Sequence, residues 1–167
     1  DRDPGLKILE ERTGITKSKG VSSIQMATAA VLSGYQTDFF SKHVYFNEEN
    51  LKLEFYQKYS YLAQQSKKLV EEAKNIGVKI AERIVSLKEL LGKVSKGSIP
   101  IILLDWNVVI GARDKGYQGH FVPIVGYDNV SVYVHNHGFD NPTSFLKIKK
   151  DIFEKARKAE GTDEDII

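Results

Sequence analysis

The chain has 167 residues, 41% hydrophobic and 28% charged, with a formal net charge of +2. That profile fits one globular domain, long enough to bury roughly 70% of the surface its unfolded form exposes. Lysines interleaved with glutamates at so small a net charge give no argument for a nucleic-acid binder, and no apolar run nears the roughly 20 residues of a membrane span. Residues 4–13 read as a short helix with Pro4 in its first turn, Leu6, Ile8 and Leu9 on its apolar side and Gly14 as its stop. Ser22 and Ser23 can cap a second helix carrying Ile24, Ala27, Ala30 and Val31, which Gly34 ends. Residues 35–40 then alternate like a strand. Asn47 or Asn50 opens a long helix to about residue 75, with Leu51, Phe55, Tyr59, Leu62, Leu69, Ala73 and Ile76 on its buried stripe and Gly77 after its end. Residues 78–84 read as a strand, and Ser86 with Glu89 forms a capping-box pattern for a helix over 87–94.

After a turn at 96–98, residues 99–105 are apolar nearly throughout, as in a strand covered on both faces, with Pro100 restricting pairing at its start. Residues 106–118 form a polar loop. Two β-rich runs follow, 119–128 and 131–138, joined by a Gly-Tyr-Asp-Asn turn and read as a hairpin. Residues 149–159 make a last helix, and Gly161-Thr162-Asp163 turns toward a strand that is cut short. Helices first and an antiparallel sheet late predict an α+β fold in a single domain over 1–167.

The hairpin carries the chemistry. His120 begins its first strand and Asn136 ends its second, and in an antiparallel pair those positions are neighbours. A histidine oriented by an amide is two-thirds of a nucleophilic triad. The third member is missing, because the chain has no cysteine; disulfides and thiolate metal sites within these residues are excluded with it. Asp128, in the hairpin turn, lies at the far end from His120. His135 and His137 flank Asn136 and alternate to one face, where with His120 or Asp140 they could offer a zinc set; no metal and no cofactor is expected. Ser23 is read as a helix cap rather than a nucleophile, and His43 as a solvated residue. Asp105 and Asp114 are loop carboxylates that either touch substrate or are solvated. Trp106 either lines a cleft or anchors its loop.

Three groups of residues resemble a known family: Phe39-Phe40 with Phe46-Asn47-Glu48-Glu49-Asn50; Tyr117-Gln118-Gly119-His120-Phe121; and Phe153-Glu154-Lys155-Ala156-Arg157 with Gly161-Thr162-Asp163-Glu164-Asp165-Ile166. Their order and spacing resemble the C39-like papain-fold cysteine peptidase superfamily, and within it the guanylyl cyclase-like family of plants and animals, over about residues 6–167. The resemblance implies a papain-like fold whose nucleophile helix, bearing the cysteine, precedes residue 1. It implies His120 and Asn136 as the catalytic pair and Gly119 and Trp106 as substrate-binding residues. The family's orienter is followed by proline, where this chain has His137. The start at Asp1, with Met26 the only methionine, and the end at Ile167 read as cuts through a longer protein. Strands 99–105 and 119–126 are then expected to expose an apolar face of several hundred Å2.

Three functions follow as expectations. The first is a C39-like cysteine peptidase or related acyl-transfer enzyme acting on a peptide or protein, through a Cys-His-Asn arrangement whose cysteine lies outside these residues. The second is a non-catalytic peptide-binding module on the same fold. The third is guanylyl cyclase-like activity, which needs metal-binding carboxylates and a triphosphate cradle; neither a phosphate-binding glycine loop nor a paired-aspartate motif stands in the sequence. The expected setting is cytoplasmic, without nucleic acid or membrane, and with association to a missing N-terminal segment or a second chain.

Overall fold

The computed structural model describes residues 6–15, 20–58, 61–138 and 141–167, without the side chains of Leu6 and Leu62. Readings that fall on Pro4, Tyr59 and Asp140 lie outside the described residues. In chain order the helices are α1 (Leu6–Thr13), α2 (Ser23–Leu32), α3 (Glu54–Gln57), α4 (Tyr61–Asn75), α5 (Leu87–Ser95), α6 (Trp106–Val109) and α7 (Lys150–Arg157). The strands are β1 (Asp38–Ser41), β2 (Lys79–Glu82), β3 (Ile101–Asp105), β4 (Gly119–Tyr127), β5 (Ser131–Asn136) and β6 (Thr143–Lys149). The fold is α+β. Strands β3 to β6 form an antiparallel sheet in sequence order, while β1 and β2 pair in parallel.

The C-terminal residues join these two sheets. Ile166 exchanges two 2.9 Å backbone hydrogen bonds with Phe40 of β1, and Ile167 exchanges bonds of 2.8 and 3.0 Å with Ile101 of β3. The segment predicted as a strand cut short therefore fills the gap between β1 and β3. It satisfies backbone groups on both strands that would otherwise be unpaired edges.

One core cluster packs α5 and α7 against the antiparallel sheet through Leu90, Ile102, Leu104, Val122, Ile124 and Phe153. A second packs α2 and α4 beside β1 through Ile24, Ala27, Phe39, Val70 and Ala73. Arg157 is buried in the first region at 1% exposure and pairs with Glu154 and with Glu164 (3.1 Å). A buried guanidinium is tolerated because both of its neighbours are carboxylates.

Four sequence expectations change. The long helix over 47–75 is broken: residues Glu48–Lys52 make a 3₁₀ turn, and Leu53 then turns extended (φ −85°, ψ 127°). Asn50 is buried and donates to Asp163, a tie to the C-terminal turn that holds the break. The loop after β3 begins with α6, capped by Asp105, whose Oδ1 accepts from the Asn107 amide at 3.1 Å. Strand β6 was not predicted; its residues alternate, but exposed Lys147 and Lys149 hide the pattern, and Phe145 at φ 55° interrupts it. Of residues 99–105 and 119–126, expected to expose a broad apolar face, only Ile99 is exposed, while Leu103 and Phe121 wall a cavity.

Candidate functional site

Strand pairing brings His120 and Asn136 together as the hairpin predicts. Their side chains meet at 3.0 Å, Nε2 to Oδ1. The amide orientation is fixed independently of the histidine. Asn136 Nδ2 can only donate, and it does so to the Asn141 carbonyl at 2.7 Å, while Oδ1 accepts the Gly138 N–H at 3.0 Å. Oδ1 therefore faces the imidazole as an acceptor, which makes Nε2 the protonated nitrogen and leaves Nδ1 with its lone pair. Among the described residues Nδ1 has no hydrogen-bond partner. Burial lowers the His120 pKa and the neighbouring His137 adds to that, against the pull of Asn136. The ring is thus neutral at pH 7 and able to take a proton.

Trp106 stands edge-on to His120 with ring centres 4.8 Å apart, and His137 lies 5.1 Å away on a tilted plane. Trp106 does not line the cavity, so its contact is with the imidazole. Gly119 does line it, but the space above its Cα belongs to the chain: a Cβ there would lie 2.8 Å from the Tyr117 hydroxyl and 3.3 Å from Phe55.

The cavity encloses about 430 Å3. Its walls come from α2, β1, the 3₁₀ segment, α3, α4, the start of β4 and the C-terminal segment, and include His120, His137, Ser23, Tyr117, Asp163 and Asp165. Ser22, not Ser23, is the cap of α2; its backbone N–H donates to Gln25 Oε1 at 2.9 Å. The Ser23 hydroxyl donates to Asp165 Oδ2. Burial pushes the Asp165 carboxyl up to about 7, against the pull of the Ser23 and Ser41 hydroxyls. Asp163 accepts from Asn47 (3.3 Å) and Asn50 (2.7 Å). Tyr56 and Tyr117 stack with ring centres 5.6 Å apart; burial raises both hydroxyls, and their mutual interaction raises Tyr117 further while pulling Tyr56 back.

The remaining candidates lie elsewhere. Asp105 is neither solvated nor turned to a ligand; it is buried, bonding Asn107 and Gln118 amides at 3.1 Å each and so pinning α6 to the start of β4. Asp114 and His43 are exposed, although His43 also edges the cavity. Asp128 organises the hairpin turn, accepting from Val130, Ser131 and Tyr133. His135 Nδ1 accepts the Phe145 amide at 3.1 Å, so it does not join His137. Among the described residues no group of three or more His, Asp or Glu is placed to hold a metal ion. None of their helices is long and apolar enough to cross a membrane. The sequence reading missed Tyr117, Asp163 and Asp165 as cavity residues; the only signal was that Tyr117-Gln118-Gly119-His120 and Gly161-Thr162-Asp163-Glu164-Asp165 stood out as motifs.

Fold and site define an α+β protein with an amide-oriented histidine beside a half-enclosed, aromatic-rich cavity. A family model described as guanylylate cyclase matches residues 21–167, and the chain belongs to that family. This is the family of the third expected function; the match lends nothing to the C39-like superfamily or to a peptidase. No solved structure matches the chain.

Proposed function

We propose that His120 and Asn136 form the acid–base unit of a papain-like, C39-like acyl-transfer enzyme acting on a peptide-type substrate, with a thiol nucleophile from outside these 167 residues. The observation that supports it is the 3.0 Å Nε2–Oδ1 pair, which leaves Nδ1 as the free base. In this reading Nδ1 takes the thiol proton, and the thiolate attacks the substrate carbonyl carbon. The C–N bond then breaks as the imidazolium returns its proton to the leaving amine, and water releases the acyl group from sulfur with His120 again as base. Asn136 holds the ring through both proton transfers, and Trp106 covers one edge of it.

The family description favours a second reading, cyclisation of a guanine nucleotide. The cavity speaks against a triphosphate. Asp163 and Asp165 line it, while none of its described lining residues is lysine or arginine. Both Asp163 oxygens accept from asparagine amides and Asp165 Oδ2 accepts from Ser23, so these carboxylates are engaged within the chain. The same charges repel a phosphate chain.

A thiol-reactive probe on the product of the complete gene separates the readings. The acyl-transfer reading expects one cysteine to label fast at neutral pH and His120→Ala to slow it at least tenfold. Labelling indifferent to His120, together with saturable GTP binding, would overturn it in favour of the cyclase.

A further inference from the structure

The cavity that His120 borders is walled largely by hydrophobic core. Ile24, Phe39, Val44 and Leu69 belong to the cluster around α2, α4 and β1, while Leu103 and Phe121 come from the antiparallel sheet. Protein interiors are close-packed, and voids larger than a water molecule are few. A space of about 430 Å3 is nearly three times the roughly 150 Å3 that takes up benzene in an engineered apolar cavity. An ordered water needs about two to four polar partners, which such side chains do not offer. The wall therefore suits an apolar occupant.

Charge narrows the choice further. The polar groups of the wall are turned to the chain itself. Asp163 accepts from Asn47 and Asn50, and the Asp165 carboxyl is buried beside the hydroxyls of Ser23 and Ser41. The Ser66 hydroxyl accepts the Phe46 amide at 2.7 Å, and the Tyr56 hydroxyl donates to the Gly161 carbonyl at 2.5 Å. A cationic group meets only carboxylates already engaged. An anionic group finds no lysine or arginine among the described lining residues, and meets Asp163. Either charge would lose its water without gaining a partner, so the pocket selects a neutral group.

We infer that this cavity is a specificity pocket for a large uncharged apolar group, the aromatic or branched aliphatic side chain of a peptide. An aromatic ring carries the most apolar area, and Phe39 and Phe121 on the wall give it ring partners. Burying that ring favours phenylalanine over alanine by roughly tenfold to a hundredfold in affinity. That the side chain belongs to the residue beside the bond under attack rests on the acyl-transfer reading; the selectivity of the pocket does not.

Isothermal titration of the product of the complete gene with the N-acetyl methylamides of phenylalanine, alanine, lysine and glutamate tests this. The phenylalanine compound is expected to bind at least tenfold tighter than each of the other three. Leu69→Trp, which adds bulk to the wall, should cut that preference at least fivefold. Equal binding of the four compounds, a tighter lysine or glutamate compound, or a preference untouched by Leu69→Trp would overturn the inference. So would binding of none, the result expected if another part of the complete protein fills the space. If Leu69→Trp does not fold, the comparison of the four compounds in wild type decides alone. Neither a thiol step nor turnover is read, so failure here is separate from failure of the thiol-labelling test.

Discussion

Gly161 is where the C-terminal motif and the histidine motif lock together, and replacing it with alanine should be costly for two separate reasons. Its backbone sits at φ +93°, where an L side chain is strained, at about 1–3 kcal/mol. A Cβ there would also lie 2.6 Å from Leu53 Cδ1 and 3.2 Å from the Tyr117 ring. Leu53 can rotate at its tip, but the Tyr117 ring is held by its stack on Tyr56, so overpacking adds about 1–3 kcal/mol. The loss of about 2–6 kcal/mol is a large share of the roughly 5–15 kcal/mol that holds a domain together. Urea unfolding followed by Trp106 fluorescence would read it as a midpoint lowered by about 1–3 M at a slope of about 2 kcal/mol/M. Gly92 supplies the control. It lies within α5, has ordinary φ and has nothing within 4 Å of a built Cβ, so Gly92→Ala should stabilise by about 0.5–1 kcal/mol. A Gly161→Ala midpoint within error of wild type, or a Gly92→Ala loss as large as that of Gly161→Ala, would refute the packing argument.

Two further outcomes are expected. The Asp165 carboxyl, raised from an ordinary value near 4 to about 7, binds a proton more tightly folded than unfolded. Its contribution is present in full below pH 4 and lost as pH rises through 7, so wild type should lose up to about 4 kcal/mol relative to Asp165→Asn between pH 4 and pH 8. Urea midpoints of both proteins at the two pH values check this, and an unchanged difference would contradict it; shifts at His120 and Asp128 are common to both and cancel. Arg157→Ala should cost about 3–5 kcal/mol, because it leaves Glu154 and Glu164 without their buried partner, whereas Arg157→Met should cost less by keeping the volume. Thermal unfolding of the two variants side by side separates the charge from the packing.

Much of this architecture was legible in the residues because it depends on local periodicity. Ser86 with Glu89, the alternation of the hairpin and the apolar run of β3 each specify their element without help from the rest of the chain. The meeting of His120 and Asn136 was legible too, since antiparallel pairing alone places a strand start beside the next strand's end. What was not legible depends on distant partners. Leu53 breaks a helix whose stripe continues through it, because Asn50 reaches Asp163 more than a hundred residues away. Nothing local marks Asp165, and the sheet-joining position of Ile166 carries it to the cavity. The cap at Asp105 was a readable signal for α6, obscured by the glycines and charges that follow it. Ser23 read as a cap because its partner, Asp165, lies at the other end of the chain.

The central claim is that Asn136 holds His120 as a neutral ring, protonated on Nε2 and basic on Nδ1. Long-range ¹H–¹⁵N correlation spectra of the histidine rings test it directly. At pH 7.5 the account predicts that His120 shows a protonated Nε2 and a bare Nδ1, titrates below its ordinary value, and loses this tautomer preference in Asn136→Ala. A protonated Nδ1, or a His120 signal unchanged by Asn136→Ala, would contradict it.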